Sequence, residues 1–199
     1  LHYKINIKII DDFTHSSCVS TFMSDVNVFV DCHNVMKIYV ENWGDNFVST
    51  KIQPIPIGFN SSTLYLLNQY LEKEFKENNN EKEFKENKIS CNFQYNLLDH
   101  LEKCNSGLDP DRKELLNIVE NICKENSDSC FDLNEREDFE NYLNNYKKYK
   151  FTLSPYGNGM DCHRTWEALL MKTIPIVKTG PLDFLYKYYD LPILIIKDW

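Results

Sequence analysis

Residues 149–170 hold the most reactive collection of side chains in this chain: Ser154, Gly157, Asn158, Gly159, Asp161, His163, Arg164 and Glu167. A glycine turn over 155–159 lets the backbone approach a ligand closely. The amides that open a following helix, with the positive end of its dipole, attract anions. Arg164 adds a planar fork that matches phosphate oxygens. Glu167, one turn further on, suits the hydroxyls of a sugar. Lys178, past the next apolar run, is a second cation for the same group. Together these residues suit a nucleotide diphosphate that carries a sugar.

Each residue also has a plainer role. Arg164 and Glu167 can form a structural ion pair, and His163 can be a hydrogen-bonded helix residue. Asp161 fits a helix cap, and Asn158 favours a tight turn. Trp166, Leu169 and Leu170 read as core. Gly157-x-Gly159 begins a dinucleotide-binding fingerprint, but Cys162 stands at the third glycine position and no acidic residue directly follows the run 174–177. The sequence contains no G-x-x-x-x-G-K-[ST] phosphate loop.

The pattern around these residues predicts what positions them. A strand over 151–154 runs into the turn, and a helix starts near Asp161. Residues 174–177 and 191–196 are apolar runs of the buried-strand type. A loop over 178–181 and an amphipathic piece over 182–189 lie between them. Strands alternating with helices predict a parallel α/β sheet. Ligands of such sheets sit beyond the carboxyl ends of the strands, where both the 155–159 turn and the 178–181 loop belong.

Upstream, residues 1–60 read as part of an N-terminal α/β lobe, with strands at 5–10, 27–30 and 36–40. The segment 51–58 carries Pro54 and Pro56 and suits an extended edge or crossing strand. Residues 61–87 read as a helix followed by a charged insertion. There Glu-Lys-Glu-Phe-Lys-Glu-Asn occurs at 72–78 and again at 81–87, with Glu72/Lys76 and Glu81/Lys85 in the favourable helical order. That composition predicts a solvated helix or disorder. A strand over 88–95 opens a C-terminal lobe, 88–199, with helices from 109–112 to about Cys123 and over 135–146.

The chain has 199 residues, room for one large domain or two lobes. Its hydrophobic content of 42% and aromatic content of 14% supply a core. A formal charge of −8 argues against a nucleic-acid binder, so a phosphate must be held by local charge and backbone dipoles. No apolar run approaches the roughly 18 residues of a membrane span, and no signal peptide is visible. Because the chain opens on Leu1 and closes on Trp199 directly after a strand, it reads as a piece of a longer protein. The seven cysteines form no C-x-x-C and no zinc spacing. They suit a reduced, intracellular setting, with a Cys123–Cys130 pairing open to an oxidising compartment such as a secretory lumen.

The run Phe151-Thr-Leu-Ser-Pro-Tyr-Gly-Asn-Gly-Met-Asp-Cys-His-Arg-Thr-Trp-Glu-Ala-Leu169, with Ile174-Pro-Ile-Val177 and the closing Lys197-Asp-Trp199, resembles exostosin-type glycosyltransferases and their relatives in large viruses, algae and bacteria. Lys51-Ile-Gln-Pro-Ile-Pro-Ile-Gly58 looks like that family's K-x-x-P-I-P-I-G stretch, and Thr14-His-Ser-Ser17 like a degenerate T-H-N-S-D. The stronger likeness covers about a quarter of the chain, residues 149–199. The resemblance implies a GT-B fold of two Rossmann-like lobes, the N-terminal one incomplete here. It implies metal-independent transfer of a hexosyl or pentosyl group, with inversion, from a nucleotide-diphosphate sugar to a glycan or glycoprotein acceptor, without a further cofactor. By position, Arg164 faces the diphosphate and Glu167 the ribose. Ser154, Gly157, Asn158, Gly159, His163 and Lys178 complete the donor site. An inverting mechanism needs a base near the acceptor. His15 is the first candidate, and His33 and Asp31 are lesser ones. Two positions depart from the family. Lys172-Thr173 stand where a glycine often precedes the Ile-Pro strand, and Cys18 replaces an acidic residue. The second departure leaves open a non-catalytic module that binds nucleotide sugars or glycans.

Overall fold

The computed structural model describes residues 5–9, 35–40, 50–77, 84–93, 110–125, 131–132, 138–157 and 160–199. The expected strand at 27–30 and the residues His15, Cys18, Asp31, His33, Cys130, Asn158 and Gly159 lie outside them. The fold is mixed α/β with parallel sheets. β1 (Ile5–Ile9), β2 (Val35–Val40) and β3 (Ile52–Pro54) form a three-stranded parallel sheet in that order. Among the described residues β3 lies at the sheet's edge, which suits its proline.

A second parallel sheet contains β4 (Glu86–Ser90), β5 (Phe131–Asp132), β6 (Tyr149–Leu153), β7 (Ile174–Lys178) and β8 (Leu194–Ile196). Its spatial order is β5-β4-β6-β7-β8. Five helices accompany the sheets among the described residues: α1 (Leu64–Glu77), α2 (Pro110–Glu125), α3 (Phe139–Lys148), α4 (His163–Leu170) and α5 (Asp183–Tyr188).

Successive side chains of a strand face opposite ways, and the core divides accordingly. Leu115 and Val119 of α2 pack on Cys91, Leu153 and Ile176. Val177, the neighbour of Ile176, packs instead with Leu182, Leu185 and Tyr186 around α5. Leu143 and Tyr146 of α3 meet Ala168 and Met171, and this cluster also takes Leu67 and Tyr70 of α1. Each such fully buried apolar side chain contributes roughly 1.5–3 kcal/mol.

The solvated helix expected within 61–87 is present as α1, and the second repeat copy departs from that reading. α1 runs through the first repeat copy and buries its inner face. In the second copy, Lys85 Nζ donates to the carbonyls of Tyr146, Lys147 and Met171 and to Thr173 Oγ1, at 2.8, 2.9, 3.0 and 3.0 Å. β4 then starts at Glu86, inside that copy rather than at 88. Leu170, expected in the core, is 36% exposed.

The strand order also contains a reversal of winding. From β4 the chain passes through α2 to β5 on one side, and from β6 it passes through α4 to β7 on the other. The winding therefore reverses between the adjacent strands β4 and β6. In open α/β sheets, ligands bind at the carboxyl ends flanking such a reversal.

Candidate functional site

The β6–α4 turn leaves the sheet at this reversal, beginning with Ser154. Ser154 is buried; its N–H donates to Ile176 O at 2.9 Å, and its Oγ lies 2.9 Å from Thr165 Oγ1. These bonds make it a brace between strand and helix. Arg164, on the first turn of α4, bridges the ends of β4 and β6. Its Nε donates to Asn92 O, just after β4, and its Nη1 to Pro155 O, just after β6, both at 3.3 Å. The guanidinium also lies 5.8 Å from the centre of the Phe93 ring. Its Nη2 makes no hydrogen bond among the described residues, and no carboxylate among them is in ion-pair contact with it. Burial alone would lower its pKa, but the nearby Cys162, Tyr146, Tyr142 and Glu167 outweigh that and raise it, so the group stays charged.

Arg164 and Glu167 thus do not form a hydrogen-bonded pair. Glu167, 5% exposed, turns toward α3, where its Oε2 accepts from the Tyr142 hydroxyl at 2.6 Å. The Tyr146 hydroxyl donates in turn to Tyr142 at 2.8 Å. Burial is the main cause holding both phenols well above their ordinary pKa, so they remain neutral donors. Glu167 Oε1 has no protein donor among the described residues.

α4 starts at His163 with Cys162 at its N-cap, and no side chain caps it. Asp161 therefore has a different role from the expected cap. Its Oδ2 accepts from Ile57 N and its Oδ1 from Trp166 Nε1, both at 2.8 Å. His163 Nδ1 lies 2.8 Å from Gly58 O. A carbonyl only accepts, so Nδ1 carries the proton. Two adjacent contacts thus clasp the Pro-Ile-Pro-Ile-Gly segment onto the start of α4. Gly58 has φ +71°, which favours glycine. Tyr189 OH makes a further tie, to Pro54 O at 2.8 Å.

Lys178 ends β7 in an ion pair with Asp198 at 2.8 Å, so it would have to exchange that partner to reach a phosphate. Gly157 lies in the turn itself. Among the described residues Cys91, Cys123 and Cys162 form no disulfide with one another.

Pattern reading missed Arg112. It sits on the first turn of α2, 4% exposed, and its Nε donates to Tyr156 O at 2.5 Å. Its place in the Asp109-Pro-Asp-Arg112 helix start was visible, but the fold alone brings it to the turn. No group of three or more His, Cys, Asp or Glu able to hold a metal ion occurs among the described residues. No protein-family model matches this chain, and no curated protein matches it in sequence.

Proposed function

We propose that this chain is the donor-binding part, with some of the acceptor side, of a GT-B glycosyltransferase that moves a sugar from a nucleotide-diphosphate sugar to a hydroxyl of a glycan or glycoprotein. The observation that carries the reading is the position of Arg164. A charged guanidinium with an unused Nη2 bridges the ends of β4 and β6 where the winding of the sheet reverses. In the proposed reaction the bond from the anomeric carbon to the diphosphate breaks and one to the acceptor oxygen forms. The acceptor's proton passes to a base, for which His15 is the sequence candidate. Negative charge grows on the departing diphosphate, and Arg164 with the Gly157 amide stabilises it. Glu167 Oε1 holds the ribose.

A second reading has its own support. Glu167 is nearly enclosed and already tied to Tyr142, as suits a module that binds a nucleotide without turning it over. The test is calorimetric titration with UDP, GDP, CDP and their sugars, followed by transfer and donor-hydrolysis assays. Binding with turnover that Arg164→Ala abolishes, while far-UV circular dichroism is unchanged, supports the transferase. Binding without turnover selects the module, and absence of binding by any nucleotide ends both.

A further inference from the structure

Two guanidiniums reach the same turn from the two arms of the reversal. Arg164, from the helix after β6, takes the Pro155 carbonyl. Arg112, from the helix after β4, takes the next one, that of Tyr156. A planar trans peptide points its C=O and the following N–H in opposite directions. Holding the Pro155 carbonyl therefore turns the Tyr156 amide away from Arg164, and holding the Tyr156 carbonyl turns the Gly157 amide away from Arg112. Glycine alone would leave that second peptide free to rotate. The Tyr156 hydroxyl occupies the place where a side chain at Gly180 would begin. Successive oriented amides of this kind form anion-binding concavities.

We infer that Arg112 is a positioning residue for the diphosphate: by fixing the Tyr156 carbonyl it aims the Gly157 amide at the phosphate without touching the ligand. This rests on the nucleotide-sugar reading above and adds to it a residue from a different helix. Because Arg112 holds the Tyr156 carbonyl of the turn, its loss should weaken the phosphate part of binding and spare the nucleoside part.

The test compares the full chain with Arg112→Gln and Arg112→Lys by calorimetry. The probes are inorganic pyrophosphate, UDP, GDP and CDP, and the matching nucleosides. In Arg112→Gln, pyrophosphate and diphosphate affinities should fall about tenfold, the effect of one charge-assisted hydrogen bond, with nucleoside affinity unchanged. Arg112→Lys keeps the charge but loses the fork, so it should fall between. Unaltered pyrophosphate affinity, or equal losses for nucleoside and diphosphate, overturns the inference. If Arg112→Gln does not fold, the same comparison in Arg112→Lys decides. Pyrophosphate binding that weakens in the variants while no nucleotide binds would uphold Arg112's role and remove the nucleotide-sugar reading. A wild-type chain that binds neither pyrophosphate nor nucleotides removes both.

Discussion

Asp161 shows how one carboxylate can tie distant parts of the chain together. Only 2% exposed, it accepts from Ile57 N and Trp166 Nε1. Burial dominates its titration and pushes its pKa from 3.8 up to about 6, against the lowering effect of these bonds, the Cys162 amide and His163. Among the described residues, His163 on α4 and the Tyr186 phenol on α5 face it, with Cys162 beside it. The folded chain holds this proton more tightly than the unfolded chain does. Its contribution to stability is therefore fully present below pH 3.8 and lost as pH rises through about 6. Relative to Asp161→Asn, the wild type should lose up to about 3 kcal/mol across that window, measured by urea unfolding at each pH. A difference that stays flat with pH would show that water reaches the carboxylate.

Tyr142 makes the matching case on the far side of α4. Tyr142→Phe deprives Glu167 of its donor and Tyr146 of its acceptor, both buried. The expected destabilisation is about 2–3 kcal/mol with an unchanged urea slope. A loss under about 0.5 kcal/mol would mean that Glu167 finds another donor.

Helix ends and strand starts are coupled through Lys85. The closing carbonyls of α3 and the Met171 carbonyl just past α4 meet its ammonium. A cation there satisfies orphan acceptors and the negative ends of two dipoles. Lys85→Met keeps the apolar stem and strips the charge. It should cost about 3 kcal/mol and speed hydrogen exchange in the last turn of α3. Exchange unchanged in that turn would show that solvent can replace the ammonium.

Composition hid this role. The two copies of Glu-Lys-Glu-Phe-Lys-Glu-Asn are identical, yet the first lies in α1 and the second leads into β4. Only their neighbours along the chain distinguish them. Apolar runs such as 174–177 did announce their strands, because a strand covered on both faces must be apolar throughout. Helices over 110–125 and 139–148 showed in their spacing within a few residues. Strand order was not readable, since β5-β4-β6-β7-β8 depends on which crossovers pack best. Arg112 and the bridge made by Arg164 depend on that order. Asp161 looked like a cap because its type suits one, while its partner Ile57 lies 104 residues away in sequence.

For the whole molecule, the formal charge of −8 opposes the charge of the ligand proposed for it. A nucleotide diphosphate approaching from solution meets a repulsive long-range field, and only near the turn does it meet Arg164 and the amides that Arg112 positions. Salt screens the first interaction over about 8–10 Å at ordinary ionic strength and reaches partly buried groups far less. Association should therefore quicken as salt rises from about 20 to about 150 mM, the reverse of electrostatically steered binding. Dissociation, governed by the buried contacts, should change little. Stopped-flow measurement with a fluorescent nucleotide diphosphate separates the two rates. A steep fall in association rate with salt would place the ligand on exposed lysines, and the guanidiniums at the end of the sheet would lose their part in capture.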